Sequence, residues 1–144
     1  MRVYLDNCCY NRPFDNKTQE RVHIEAKAIL KILANSKSGS DDIIIGSSVL
    51  RKEINNIKDE EQKIDVMAMY TQAVDETVEL NANIINQAKE IMEQANIKKM
   101  DALHLSCAIF SNSDIFLTVD DKLIKACNNL NLSMRVINPI NIGE

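Results

Sequence analysis

Residues 43–54 read Ile43-Ile44-Ile45-Gly46-Ser47-Ser48-Val49-Leu50-Arg51-Lys52-Glu53-Ile54. Three successive β-branched residues leave no polar side for solvent. The run therefore predicts an interior strand of a parallel sheet, covered on both faces. Ser47 or Ser48 then offers a side-chain oxygen to the free amides of a helix start. The helix that follows carries Val49, Leu50, Ile54 and Ile57 at three- and four-residue spacing. Strand, cap and helix in direct succession are the building unit of an α/β fold.

The same unit recurs on either side. Residues 2–5 are β-prone and end at Asp6, and a polar loop is expected through Arg12-Pro13-Phe14-Asp15. Helical periodicity covers 18–36, with Val22, Ala26, Ile29, Leu30 and Leu33 on its apolar face, and Ser36-Lys37-Ser38-Gly39-Ser40 breaks it. Downstream, 60–72 is amphipathic through Ile64, Met67 and Ala68, and 76–80 reads as a short strand. Asn81 caps a helix to about 96, with Ile84, Ile85, Ala88, Ile91 and Met92 on its buried side. Asp101 opens a helix apolar all round, which predicts burial all round. An interior strand at 115–119, a helix at 122–130 and a strand at 134–137 complete the chain. The expectation is one domain spanning 1–144, a three-layer α/β/α sandwich with a mostly parallel central sheet.

Composition narrows the function classes. A chain of 144 residues buries roughly 70% of its unfolded surface and needs no disulfide or structural metal to hold a core. No apolar run approaches the ~20 residues of a membrane span, and the N-terminus has no apolar signal region, so the cytoplasm is the expected compartment. Cys8, Cys9, Cys107 and Cys127 form no C-x-x-C, and His23 and His104 lie far apart, which argues against a zinc site or a thioredoxin-like motif. Cys8 and Cys9 are read as packing residues after a strand. The net charge of −4 lacks the basic footprint of a nucleic-acid binder. Setting four clustered acids aside, however, leaves 17 acidic residues against 17 basic ones.

Those acids are Asp6, Glu53, Asp101 and Asp120, with Asp121 adjacent. In open parallel sheets, sites form beyond the carboxyl ends of the strands, where Asp6 and Asp120 fall. Glu53 shares a helical face with Val49. Each acid has an ordinary reading alone: a turn at Asp6, a helix N-terminal charge at Asp101, a solvated Glu53, a cap at Asp120 or Asp121. Together they crowd like charge, which is costly unless cations neutralise it. Oxygen ligands without thiolate or imidazole select Mg²⁺ or Mn²⁺. Nearby, His104, three residues after Asp101, is read first as a satisfied core histidine and second as a hydrogen-bond partner near the site. Arg12 is read as a partner of Asp15 or of a phosphate, and Lys98 and Lys99 as a solvated turn before RNA contacts.

Leu5-Asp6-Asn7, the helical Glu53, Asp101-Ala102-Leu103-His104-Leu105 and Leu117-Thr118-Val119-Asp120 resemble the ordered acidic motifs of the PIN-domain family, over residues 3 to about 137. The resemblance implies a VapC-like, Mg²⁺- or Mn²⁺-dependent ribonuclease, a hydrolase whose metal and catalytic residues are Asp6, Glu53, Asp101 and Asp120. Thr118 and Asn7 would support the site; Asp120 is preferred to Asp121 because the Thr-x-Asp spacing matches it. The implied partners are RNA, a cognate antitoxin and a second copy in a homodimer, with no membrane. The 8–14 loop is longer and more polar than in typical small toxins of this kind. The principal alternative is an inactive PIN-fold module that binds RNA or a protein. A receiver or phosphatase using aspartate as nucleophile fits less well, because the first strand ends Asp-Asn-Cys and 43–45 is followed by Gly46-Ser47.

Overall fold

The structure, a computed structural model, describes residues 1–143. The apolar runs become strands β1 (Arg2–Leu5), β2 (Ile43–Ser47), β3 (Glu76–Val78), β4 (Ile115–Leu117) and β5 (Arg135–Ile137). All neighbours pair in parallel, in the order β3-β2-β1-β4-β5. Tyr4 of the central strand lies in register with Ile45 on one side and Phe116 on the other. Its ring stacks on Phe116, with centroids 5.4 Å apart and planes 9° from parallel. All three residues are fully buried, as a sheet covered on both faces requires.

The helices are α1 (Asn7–Asn11), α2 (Glu20–Lys37), α3 (Ser48–Asn55), α4 (Glu60–Ala73), α5 (Ala82–Gln94), α6 (Lys99–Phe110) and α7 (Asp121–Cys127). α1, α2 and α4 pack on one another and α5 packs on α6, giving the expected three-layer α/β/α sandwich. After β3 the chain crosses to the other side of β1 to form β4. The order reverses there, so a crevice opens beyond the carboxyl ends of β1 and β4. Among the described residues no helix is long and apolar enough to cross a membrane.

The structure departs from the sequence reading in three places. The expected polar loop after β1 is α1 followed by a 3-10 turn at Arg12–Phe14. Buried Cys9 and Tyr10 hold it down, with Tyr10 edge-on to Tyr70 at 5.4 Å, so tertiary packing overrides weak local helix propensity. Leu30, Ile64, Ile85 and Met92 are exposed, because the apolar stripe on each helix is narrower than its apolar residue count. Finally, α6 is not buried all round: it begins at Lys99, and Met100 and Phe110 at its ends face solvent.

Gly46 decides how α4 meets β2. A Cβ at this position would run into the Tyr70 ring and Val74. The absence of one lets the Tyr70 hydroxyl accept from the Ser47 amide at 3.1 Å and donate to the Ser47 carbonyl at 3.2 Å. Gly46→Ala is expected to destabilise the protein by about 1–3 kcal/mol through overpacking, read as a lower urea midpoint at unchanged slope.

Candidate metal centre

Asp6 follows β1 directly and is buried. Its carboxylate accepts from the Asn7 amide at 2.8 Å, from the Thr118 hydroxyl at 3.1 Å and from the Cys8 thiol at 3.5 Å. Thr118 is fully buried just past β4 and in turn accepts from the Asp120 amide at 3.2 Å. One hydroxyl thus ties together the two acids that leave neighbouring strands. Asn7 contributes through its backbone; its side chain bonds Asn11, and among the described residues it hydrogen-bonds none of the acids.

Glu53 comes from α3, which Ser47 caps by accepting from the Leu50 amide at 3.1 Å. The Glu53 carboxylate accepts from Nε2 of buried His104, and Nε2 is 3.9 Å from Asp6 Oδ1. His104 Nδ1 meets the Tyr4 hydroxyl at 2.7 Å, and that hydroxyl meets Ser47 Oγ at 2.7 Å. The assignment that satisfies every member has Ser47 donating to Tyr4, Tyr4 to Nδ1, and Nε2–H to Glu53. The hydroxyl that starts the helix carrying Glu53 is therefore also the far end of the chain that holds Glu53.

Asp101 lies in the first turn of α6, and Asp120 caps α7 by accepting from the amides of Lys122 at 3.0 Å and Leu123 at 3.3 Å. Asp6, Glu53, Asp101 and Asp120 line one cavity of about 370 Å³, together with Asn7, Cys8 and Arg12. Among the described residues no lysine or arginine is ion-paired with any of the four. Burial pushes the Asp101 carboxyl up to about 6, aided by the negative charges of Asp6, Asp120 and Glu53 and opposed by His104. Burial likewise raises Asp6, against the pull of His104 and the amide and hydroxyl donors. Asp121 points elsewhere: Arg21 grips it with two bonds of 2.7 Å and holds its carboxyl below the usual range.

The chain matches the family model for the PIN domain over residues 21–129. It belongs to the PIN-domain family. The matched segment includes Glu53, Asp101 and Asp120, whereas Asp6 precedes it. Among solved structures, the chain is similar to VapC20 from Mycobacterium tuberculosis, a sarcin–ricin loop-cleaving toxin. That pair has a TM-score of 0.63 and 12% identity, covering 92% of this chain and 98% of the other. It is also similar to VapBC2 from Rickettsia felis, solved bound to a DNA fragment from its promoter. Here the TM-score is 0.59 at 19% identity, covering 96% of this chain and 98% of the other. At these identities the likeness is one of fold. Comparison with curated proteins finds no significant match.

His104 satisfies both of its expected readings: it is a buried histidine, and it also bonds an acid of the cavity. One feature of this PIN domain escaped the sequence reading. It is Glu25, fully buried on α2, 3.1 Å from both Arg12 Nε and Arg21 Nε and accepting from Asn138 Nδ2 at 2.6 Å. It lies three residues after Val22 and four before Ile29, inside the apolar stripe, which marks it as a paired buried charge. Arg12 takes both its expected neighbour Asp15, at 3.3 Å, and Glu25.

The burial and crowding of Asp101 have a pH signature. Asp101 titrates near 6 in the folded protein against 3.8 ordinarily, so between those values the folded state binds the proton more tightly. Its contribution to stability is complete below about pH 4 and is lost as pH rises through about 6. In protein stripped of metal, wild type should lose stability relative to Asp101→Asn across that window, by on the order of 1 kcal/mol after allowance for solvent screening. Urea titrations at stepped pH read the difference; a pH-independent offset would contradict a raised Asp101 carboxyl.

Proposed function

We propose that the protein is a metal-dependent endoribonuclease that cleaves RNA phosphodiester bonds, the toxin of a toxin–antitoxin pair. In this reading residues 1–144 act as one PIN domain in the cytoplasm, as a homodimer restrained by an antitoxin. The observation that carries it is the cavity shared by Asp6, Glu53, Asp101 and Asp120, four acids with no lysine or arginine paired to them among the described residues. The donor set fits a hard divalent cation: carboxylate oxygens at graded depth, from buried Asp6 to exposed Asp120, with Asp101 raised by burial and then by its neighbours' charge. Asp6, Glu53, Asp101 and Asp120 would hold Mg²⁺ or Mn²⁺. When bound, such ions supply Lewis acidity at the scissile phosphate and its leaving oxygen.

The chain's own residues supply position. Thr118 and the Asn7 amide orient Asp6, and His104 orients Glu53. Asp120 keeps one carboxylate oxygen on the α7 amides, which leaves the other for a ligand. VapC20 is described as a toxin that cleaves the sarcin–ricin loop, which makes a structured RNA the first substrate to try.

A second reading, the inactive binding module, is favoured by one observation: Glu53 already has a partner in His104. Metal uptake separates the two. Under the nuclease reading, calorimetry detects Mn²⁺ binding to wild type. Asp6→Asn and Asp101→Asn lose cleavage by roughly 100-fold or more while staying folded by circular dichroism. His104→Ala lowers Mn²⁺ affinity by about 10- to 100-fold, as loss of a ligand's supporting bond does elsewhere. Wild type that takes up no metal and cuts no RNA would leave the binding module standing; variants that cut at the wild-type rate would assign the activity to a contaminant.

A further inference from the structure

Asp101 and Asp120 line a second cavity as well, a groove of about 520 Å³ that leads away from the acidic one between α6 and α7. Its charge is opposite: Lys98, Lys122 and Lys125 line it. All three are exposed, and among the described residues none is ion-paired, although two acids share the groove with them. Arg2, Arg12, Arg21, Lys37, Arg51 and Lys63 carry ion pairs, whereas among the described residues other exposed lysines such as Lys27 and Lys31 on α2 do not. What sets Lys98, Lys122 and Lys125 apart is that they line one groove beside the acids. Lys98 precedes α6 and makes no side-chain cap there; Lys122 and Lys125 are three apart on α7 and so share a face. Among the described residues no aromatic side chain lines the groove; beside the lysines its polar groups include the amides of Asn96 and Asn129.

We infer that this groove is the track for the sugar–phosphate backbone of a single RNA strand running out of the acidic cavity, an inference that rests on the ribonuclease reading. The chemistry is specific in what it offers. Unpaired ammonium groups bind phosphates, and without an aromatic platform the groove does not stack bases. Recognition within it is therefore largely independent of sequence and strongly dependent on salt, with the two asparagines the groups able to bond a base edge or a 2′-hydroxyl. Arg12, the base that lines the acidic cavity, is already held by Asp15 and Glu25, so the strand leaves on the lysine side. The groove also answers the net charge of −4: the basic footprint is local, beside the acids it serves.

The test compares wild type with the triple variant Lys98→Ser, Lys122→Ser, Lys125→Ser, and with a control carrying Lys27→Ser and Lys31→Ser on α2. The probe is a fluorescein-labelled twelve-nucleotide oligouridylate in Ca²⁺, followed by anisotropy across a salt series, with intact RNA verified on a gel. Mn²⁺ affinity of each protein is measured separately. The triple variant should bind the RNA about 10- to 100-fold more weakly at low salt. Its log–log salt slope should be shallower by about 2, from three phosphate contacts at ~0.7 each. Its Mn²⁺ affinity and the control's RNA affinity should match wild type. Unchanged RNA affinity and slope in the triple variant would overturn the inference. So would a triple variant that loses affinity for polyglutamate but not for RNA, which would give the groove to an acidic protein segment. Wild type that binds Mn²⁺ but not the RNA would overturn the track and leave the metal site, whereas failure to bind either would remove the nuclease reading itself.

Discussion

Four carboxylates meet at one edge of a five-stranded sheet, and most of the surrounding structure answers that single electrostatic constraint. Buried like charges repel strongly at low effective dielectric, and a carboxylate out of water must recover its lost hydrogen bonds. Asp6, the most deeply placed, has an amide, a hydroxyl and a thiol around it. Asp101 carries the residual strain as a raised proton affinity. Asp120 is exposed and spends one oxygen on the start of α7. Protons relieve this crowding at low pH; at neutral pH a bound cation would do so more fully.

The fold and the site share atoms. Tyr4 stacks on Phe116 within the sheet, and its hydroxyl is the middle of the line running from Ser47 to His104 and Glu53. Ser47 both starts α3 and ends that line. Gly46 next to it clears the space through which Tyr70 secures the Ser47 backbone. Errors in packing at the end of β2 would consequently be felt as displacement of Glu53, which gives a core glycine a consequence at the functional edge.

Much of this was legible in the sequence. The β-branched run at 43–45 and the apolar run at 115–117 require a covered parallel sheet, and that topology in turn places Asp6 and Asp120 at the same edge. The Thr118-x-Asp120 spacing separated two adjacent acids, and the structure turns Asp121 toward Arg21 on the outside. What was not legible depends on contacts distant in sequence. Asn7–Asn11 is too short and too poor in helix formers to be read as a helix without the pocket that receives Cys9 and Tyr10. The bond between His104 and Glu53 spans 51 positions and exists only once α3 and α6 are packed. Leu30, Ile85 and Met92 fit a helical period yet lie at the margins of their stripes, where periodicity alone does not separate buried from exposed.

The charge distribution then has a sense of direction, from a buried acid through two half-buried ones to an exposed acid beside unpaired lysines. Such a gradient suits a polyanion whose reacting phosphate must sit on cations while its neighbours sit on ammonium groups. All of it requires that divalent cations occupy the acidic cavity. Anomalous scattering from a crystal soaked in Mn²⁺ tests this most directly. The account predicts a peak among the carboxylates of Asp6, Glu53, Asp101 and Asp120; a cavity without a peak under saturating Mn²⁺, or Mn²⁺ bound only elsewhere on the surface, would contradict it.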